Sequence, residues 1–403
     1  MASNEVRALG ELAAETVDVT VMRPVQGVHE AVAQRVFRAV GPAAEATRVI
    51  HDGIASALYG ALRLAGEAAG GAAGRAAEAV SGGGEVRVLE RSASGRFAKA
   101  AINALVGDQL EERGSEIRIE MAVRARAGDV PLEPEAIAAA FPDATERLAL
   151  FVHGLGEDER AWRLRAAAQG GATYGSRLRA DLGFTPVYVR YSTGLHISEN
   201  GRRLSALIEE LAASWPVELD EIVLIGHSMG GLVARSACHH AATASHEWLG
   251  RAKDLVFLGS PHLGAPLEKA VNVGAWGLAL AAESRPFAEV LNTRSAGIKD
   301  LRFGSVSDDD WLGREADALL RDTRVRLAAP APLTFHHIAA TVTERRGHPL
   351  GALAGDLLVR HASATGRGIE ATRTTARHFG RRTHFDLLND PEVYAHMREC
   401  LTR

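Results

Sequence analysis

The residues with the plainest chemical use stand in Gly226-His227-Ser228-Met229-Gly230-Gly231. Gly-x-Ser-x-Gly is the spacing of a nucleophile elbow, a sharp strand-to-helix turn that strains a serine and projects its Oγ above a sheet. The flanks suit such a turn. The β-branched apolar run at 221–225 leads in, and small helix-forming residues follow over 232–240. Gly226 and Gly230 let backbones approach around the bend, and Gly231 and Ala234 let the helix lie close on the strand. Ser228 is therefore the expected nucleophile. A serine hydroxyl attacks poorly until a histidine takes its proton, and that histidine needs a carboxylate to fix its tautomer. Where this elbow occurs, the partners follow in the order serine, acid, histidine.

The elements that must position these residues change character near residue 114. Over 1–112 the chain is Ala- and Gly-rich and reads as helical. Val28, Val32, Val36 and Val40 recur at helical spacing, as do Ile50, Ile54, Leu58 and Leu62, with Gly41-Pro42 between them. A glycine-rich stretch over 66–84 is a weak helix or linker, and another helix is expected over 95–112. The plain reading of this region is a helical appendage covering the domain that follows. The sharper one is an amphipathic surface that meets lipid, or a second copy of the chain. Glu mixed with Arg on the polar faces argues against anionic lipid.

From 113 to 403 the pattern is that of a catalytic domain. Strict alternation over 116–124 predicts a half-exposed strand, and Ala127-Gly128-Asp129 turns it into a short second one. Apolar runs at 148–152, 186–191, 221–225, 254–258 and 334–342 predict strands, with an eighth at 371–379 and a helix over 202–214. Two antiparallel strands followed by β-α alternation imply an α/β fold with a mostly parallel eight-stranded sheet, covered on both faces. The interval 265–332 holds no convincing strand. It leaves from the carboxyl ends of strands, where ligands bind, and reads as a helical cap. Its Trp276, Leu278 and Trp311 either line an acyl pocket or hold the cap to the core.

Bulk properties narrow the field. The 403 residues carry a formal charge of −4, with no basic stripe for nucleic acid. No apolar segment precedes a cleavage-like site, and charges interrupt the Ala-rich region before it reaches membrane-span length, so a cytoplasmic protein is expected. Two cysteines, Cys238 and Cys400, make no disulfide framework. The adjacent His239 and His240 lack the context of a zinc site and read as a solvated helix end. No metal or organic cofactor is expected.

Taken together, His153-Gly154 after the third strand, the elbow, Gly259-Ser260-Pro261-His262 after the sixth, Gly355-Asp356 and His384-Phe385-Asp386 resemble the α/β-hydrolase lipases and esterases. Within these the chain looks most like the bacterial lipase-like branch related to GPI-inositol deacylases. The resemblance covers about 114 onward. It implies Asp356 as the acid and His384 as the base, with Leu357 standing where relatives often have glycine. The placement agrees, since Asp356 follows the seventh strand and His384 the last. Glu370 and Asp386 compete for the acid. The oxyanion hole would consist of the Leu155 and Met229 N–H groups, in the loop carrying His153 and the elbow carrying His227. His262, His336 and His337 read as structural, and Asp386 as a helix cap rather than a calcium ligand. The implied function is a serine hydrolase cleaving small-molecule or lipid carboxylic esters through an acyl-enzyme. The alternatives are an acyltransferase on the same triad and a non-catalytic scaffold.

Overall fold

The computed structural model describes Gln26, residues 93–265 apart from 113, 116 and 126–127, and residues 294–402 apart from stretches within 314–332, 346–354 and 367–372. The valine and isoleucine stripes, Trp276, Leu278 and Glu370 lie outside the described residues. The chain divides into two units, of which Ile119–Lys269 with Ser295–Arg403 holds the sheet. The helix α1 (Ala93–Glu112) belongs to the other and breaks at Val106. Its Asn103 amide donates to Lys99 O and Ile117 O, both at 2.9 Å. Among the described residues no helix is long and apolar enough to cross a membrane.

The sheet unit begins with β1 (Ala122–Ala125) and β2 (Gly128–Val130), then α2 (Pro134–Ala140) and β3 (Arg147–Val152). It continues through α3 (Tyr174–Leu182), β4 (Thr185–Arg190), α4 (Ile197–Ala213), β5 (Glu221–His227), α5 (Met229–Ala244), α6 (Trp248–Arg251) and β6 (Ala252–Leu258). After α7 (Ala296–Asp300) come β7 (Thr334–Thr341), α8 (His361–Ala364), β8 (Arg373–Gly380) and α9 (Pro391–Leu401). The eight strands lie in the order β2-β1-β4-β3-β5-β6-β7-β8. β1 is antiparallel to β2 and β4, and all other pairings are parallel. This is the α/β-hydrolase architecture that the motifs implied.

The continuous apolar runs are explained by the two faces. Leu148, Leu150, Val152, Leu224 and Phe257 point to one core, where α4 and α5 supply Leu204, Ile208, Leu211 and Leu232. Ala149, Phe151, Ile225, Val256 and Leu258 alternate with them into the other core, with Leu178 of α3 and Val393 and Met397 of α9. Each large side chain so buried contributes about 1.5–3 kcal/mol. Because β3 to β8 run parallel, the loops after β3, β5, β6, β7 and β8 emerge at one edge.

Three expectations are corrected. The strand expected from 116 starts at Ala122, because Ala122 pairs with Arg190, the last residue of β4, and earlier residues find no ladder partner there. The helix expected from 202 starts at Ile197, whose N–H donates to Asp300 Oδ2 at 2.8 Å. His239 and His240 lie inside α5, which runs on to Ala244, rather than at a solvated end. In the cap interval the described part, 294–313, holds α7 and a 3-10 turn at Asp308–Asp310. Its Trp311 stacks on His196 at 3.7 Å and donates to Ser198 Oγ at 2.8 Å, so it packs on the start of α4.

Candidate active site

β5 delivers Ser228 to the edge with φ 53 and ψ −124, a conformation L-residues seldom adopt and one that stores strain. The glycines around it are sterically required. A Cβ on Gly226 would fall 2.4 Å from Gly231 Cα, and one on Gly230 would fall 2.1 Å from Val152 O. One on Gly231 would fall 2.0 Å from Ser260 Oγ. Ser228 N–H donates to Leu258 O at 2.8 Å, which fixes the elbow to the end of β6.

Asp356 and His384 meet at that edge. Asp356 is fully buried, and its Oδ1 accepts from Leu358 N (3.1 Å) and Val359 N (2.8 Å). Its Oδ2 lies 2.8 Å from His384 Nδ1, while its backbone oxygen accepts from His384 N at 2.9 Å. Leu357, in the place of the relatives' glycine, has φ 90, in the left-handed region that favours glycine. His384 Nε2 is buried and takes no hydrogen-bond partner, Ser228 included. The ring lies 4.7 Å from that of His227 and abuts Gly259, where a Cβ would be 3.1 Å from its Cε1. Burial opposes the imidazolium, but the charge and hydrogen bond of Asp356, with a contribution from Glu157, hold His384 above the usual histidine range. Asp386 does not face this ring. Its Oδ2 accepts from Thr383 N (2.7 Å) and Oγ1 (2.8 Å), and Oδ1 pairs with Arg165, so it caps the turn His384–Leu387.

The loop after β3 is a tight turn closed by Glu157 N–H on Gly154 O at 3.2 Å, with Gly156 at φ 69. Its amides are accounted for one by one. Gly154 N–H donates to Glu157 Oε2 at 2.7 Å and Gly156 N–H to Thr193 Oγ1 at 3.2 Å. Leu155 N–H has no acceptor, nor has Met229 N–H, which opens α5 where helices lack intrahelical partners. The close approach of Gly230 to Val152 O sets the two segments side by side. His153 is buried under the Tyr191 ring at 4.5 Å, and burial pushes it below the usual range. Glu157 is the residue that sequence reasoning missed. The available signal was a carboxylate three residues past Gly154, a spacing that folds it back over the turn.

His262, His336 and His337 sit in packing. His336 Nε2 is 2.6 Å from Asp254 Oδ1 and Nδ1 is 2.8 Å from Thr375 Oγ1. His262 and His337 meet edge to face at 5.0 Å beside Phe257, and burial keeps both well below the usual range, His337 at about 3.

Residues 144–308 match the family of the PGAP1-like alpha/beta domain. The chain's likeness is to the PGAP1-like branch of the α/β-hydrolases. That match spans β3 to the described cap segment and contains Ser228, Leu155, Met229 and Glu157. Asp356 and His384 lie beyond it. Among solved structures, the mature Bacillus licheniformis lipase BlEst2 aligns at 19% identity over 64% of this chain and 92% of its own, with a TM-score of 0.40. The lin2722 product of Listeria innocua aligns at 11% over 64% and 95%, with a TM-score of 0.38. RedJ, a thioesterase of the prodiginine pathway in Streptomyces coelicolor, aligns at 18% over 64% and 92%, with a TM-score of 0.36. No curated protein matches by sequence.

Proposed function

We propose that this protein is a serine hydrolase that cleaves carboxylic esters through an acyl-enzyme. The observation that carries the reading is the buried Asp356–His384 pair at 2.8 Å, whose Nε2 is unoccupied, beside a serine held at φ 53. Ser228 Oγ attacks the ester carbonyl carbon as its proton passes to His384 Nε2. Asp356 stabilises the resulting imidazolium and keeps Nδ1 protonated. The Leu155 and Met229 N–H groups donate to the carbonyl oxygen as it becomes negative, and a donor of this kind is worth about 3–4 kcal/mol of barrier. The intermediate collapses, His384 protonates the departing alkoxide, and the alcohol leaves. Water then attacks the acyl carbonyl, giving its proton to His384, and the acid is released with Ser228 restored. The catalytic domain runs from about residue 113, with the interval 265–332 as its insertion, and an apolar acyl group is favoured. The test is labelling with a fluorophosphonate probe. The wild type should be labelled at Ser228 and should hydrolyse p-nitrophenyl esters, and Ser228→Ala should do neither while keeping its melting temperature. Turnover near wild type in that variant would end the proposal.

A further inference from the structure

Glu157 has no part in that reaction, yet its carboxylate is buried against it. A Cβ built on Gly154 would lie 3.0 Å from Ser228 Cβ and 3.1 Å from Glu157 Oε2, so nucleophile and carboxylate flank one glycine. A bare negative charge there would oppose the oxyanion. Here the charge is bound on two sides, by Gly154 N–H at 2.7 Å and by His227 Nδ1 at 3.1 Å. Gly154 belongs to the loop after β3 and His227 is the residue before the nucleophile, so the carboxylate ties the two segments that carry the Leu155 and Met229 amides.

We propose that Glu157 is a positioning residue of the site. By bridging Gly154 N–H and His227 Nδ1 it locks the turn after β3 to the elbow, which leaves Leu155 N–H as the turn's one open donor. Its charge also favours the proton on His384. This rests on Ser228 and His384 being nucleophile and base. The groups facing Glu157 are His153 and Tyr191 at the ends of β3 and β4, His227 on β5, and His384 with its partner Asp356. Burial favours the neutral acid, but the attraction and hydrogen bond of His227, with the bond from Gly154 N–H, hold Glu157 below the usual carboxylate range. It is thus ionised wherever His384 titrates. A glutamine keeps the shape but offers one acceptor oxygen for two partners and removes the charge, so it loosens the bridge and weakens the field on His384 together.

The experiment compares full-length wild type with Glu157→Gln on a short p-nitrophenyl ester from about pH 5 to 9, with thermal melting of both. The expected result is a fall in kcat of roughly tenfold with KM little changed, since a misaimed amide costs part of what a lost one does. The acidic limb should move to lower pH by about half a unit or more, because removing a nearby negative charge weakens proton binding at His384. Unchanged kcat and an unchanged acidic limb would overturn the proposal. So would a lowered melting temperature and rate with the limb unmoved, which is the signature of a residue that only stabilises the fold. Failure of the site itself shows differently, as turnover surviving in Ser228→Ala whatever Glu157→Gln does.

Discussion

The two ends of the sheet each carry a buried imidazole paired with a carboxylate, with a nucleophilic atom type nearby. At the carboxyl end Asp356 meets His384 at 2.8 Å near Ser228, and at the amino end Asp254 meets His336 at 2.6 Å near Cys400. The second ring nitrogen distinguishes them. His384 Nε2 is unoccupied, whereas His336 Nδ1 is bonded to Thr375 Oγ1 at 2.8 Å. The settings of the nucleophiles differ as well. Ser228 stands on a strained elbow between open amides, while Cys400 is buried within α9 beside His396. His336, with both nitrogens satisfied, holds the fold together. His384 combines a vacant nitrogen with a paired carboxylate beside a strained serine, the combination that proton transfer requires.

Exchanging the two acids' charges breaks or sharpens this comparison most directly. Asp356→Asn should lower kcat/KM by about 10⁴-fold, because an amide neither stabilises imidazolium nor enforces the tautomer. Asp254→Asn should leave kcat within about twofold, since its pair has no free nitrogen. Steady-state kinetics on one ester with both variants decides it. Comparable losses from the two would mean that the ends are not functionally distinct.

Next in size is the elbow. Gly230→Ala would place a methyl 2.1 Å from Val152 O, a backbone atom that cannot rotate away. We expect a loss of several kcal/mol in stability, or a folded protein with turnover down by about two orders of magnitude, because the elbow and the loop after β3 must separate. Chemical denaturation together with ester turnover reads both, and a variant normal in each would show that the close approach is dispensable.

Much of this was legible in the sequence because it is local. The elbow glycines and the alternation of apolar runs with helices follow from short-range pattern, whereas Asp356 and His384 were singled out by the resemblance to the lipases and esterases, with which their places after the seventh and eighth strands agree. What could not be read depends on partners far away in the chain. The start of α4 is set by Asp300, which accepts from Ile197 N across 103 residues, where Ser198, Glu199 and Asn200 gave no apolar stripe to extend. The strand expected from 116 starts only where its antiparallel neighbour ends, at Arg190. In the sequence Glu157 is one acid in a charged loop, and its partner His227 lies 70 residues on. His336 reads as core from its strand, but its pairing with Asp254 needed the register of β6 and β7.

That pairing gives a smaller, pH-dependent effect. Burial disfavours charge on His336, but the hydrogen bond it donates to Asp254, helped by Cys400, raises it to about 9. A raised histidine stabilises the fold fully below the unfolded value near 6.5, and the stabilisation is lost as pH rises through about 9. Melting curves should therefore show the wild type's advantage over Asp254→Asn as largest near pH 6, on the order of 1–3 kcal/mol, and shrinking by pH 9 to 10. The rate should respond in the opposite sense, falling as acid protonates His384. If the advantage grew with pH, the amino-end pair would not be held by charge.

The smallest effect tests whether close backbone approach is confined to the site's end of the sheet. Gly250 lies in α6, just before β6, and a Cβ there meets nothing within 4 Å. Its N–H donates to Glu247 O at 3.1 Å, a bond that alanine keeps. Alanine restricts the unfolded chain and favours helix, so Gly250→Ala should gain about 0.5–1 kcal/mol and raise the melting temperature by roughly 1–2 °C. Ester turnover should not change, because nothing in α6 reaches the loops that carry Ser228 or His384. Gly230 and Gly250 are then opposite cases of one substitution, the first excluded by a carbonyl and the second open to solvent. A fall in melting temperature for Gly250→Ala would show that the start of β6 is as tightly constrained as the elbow.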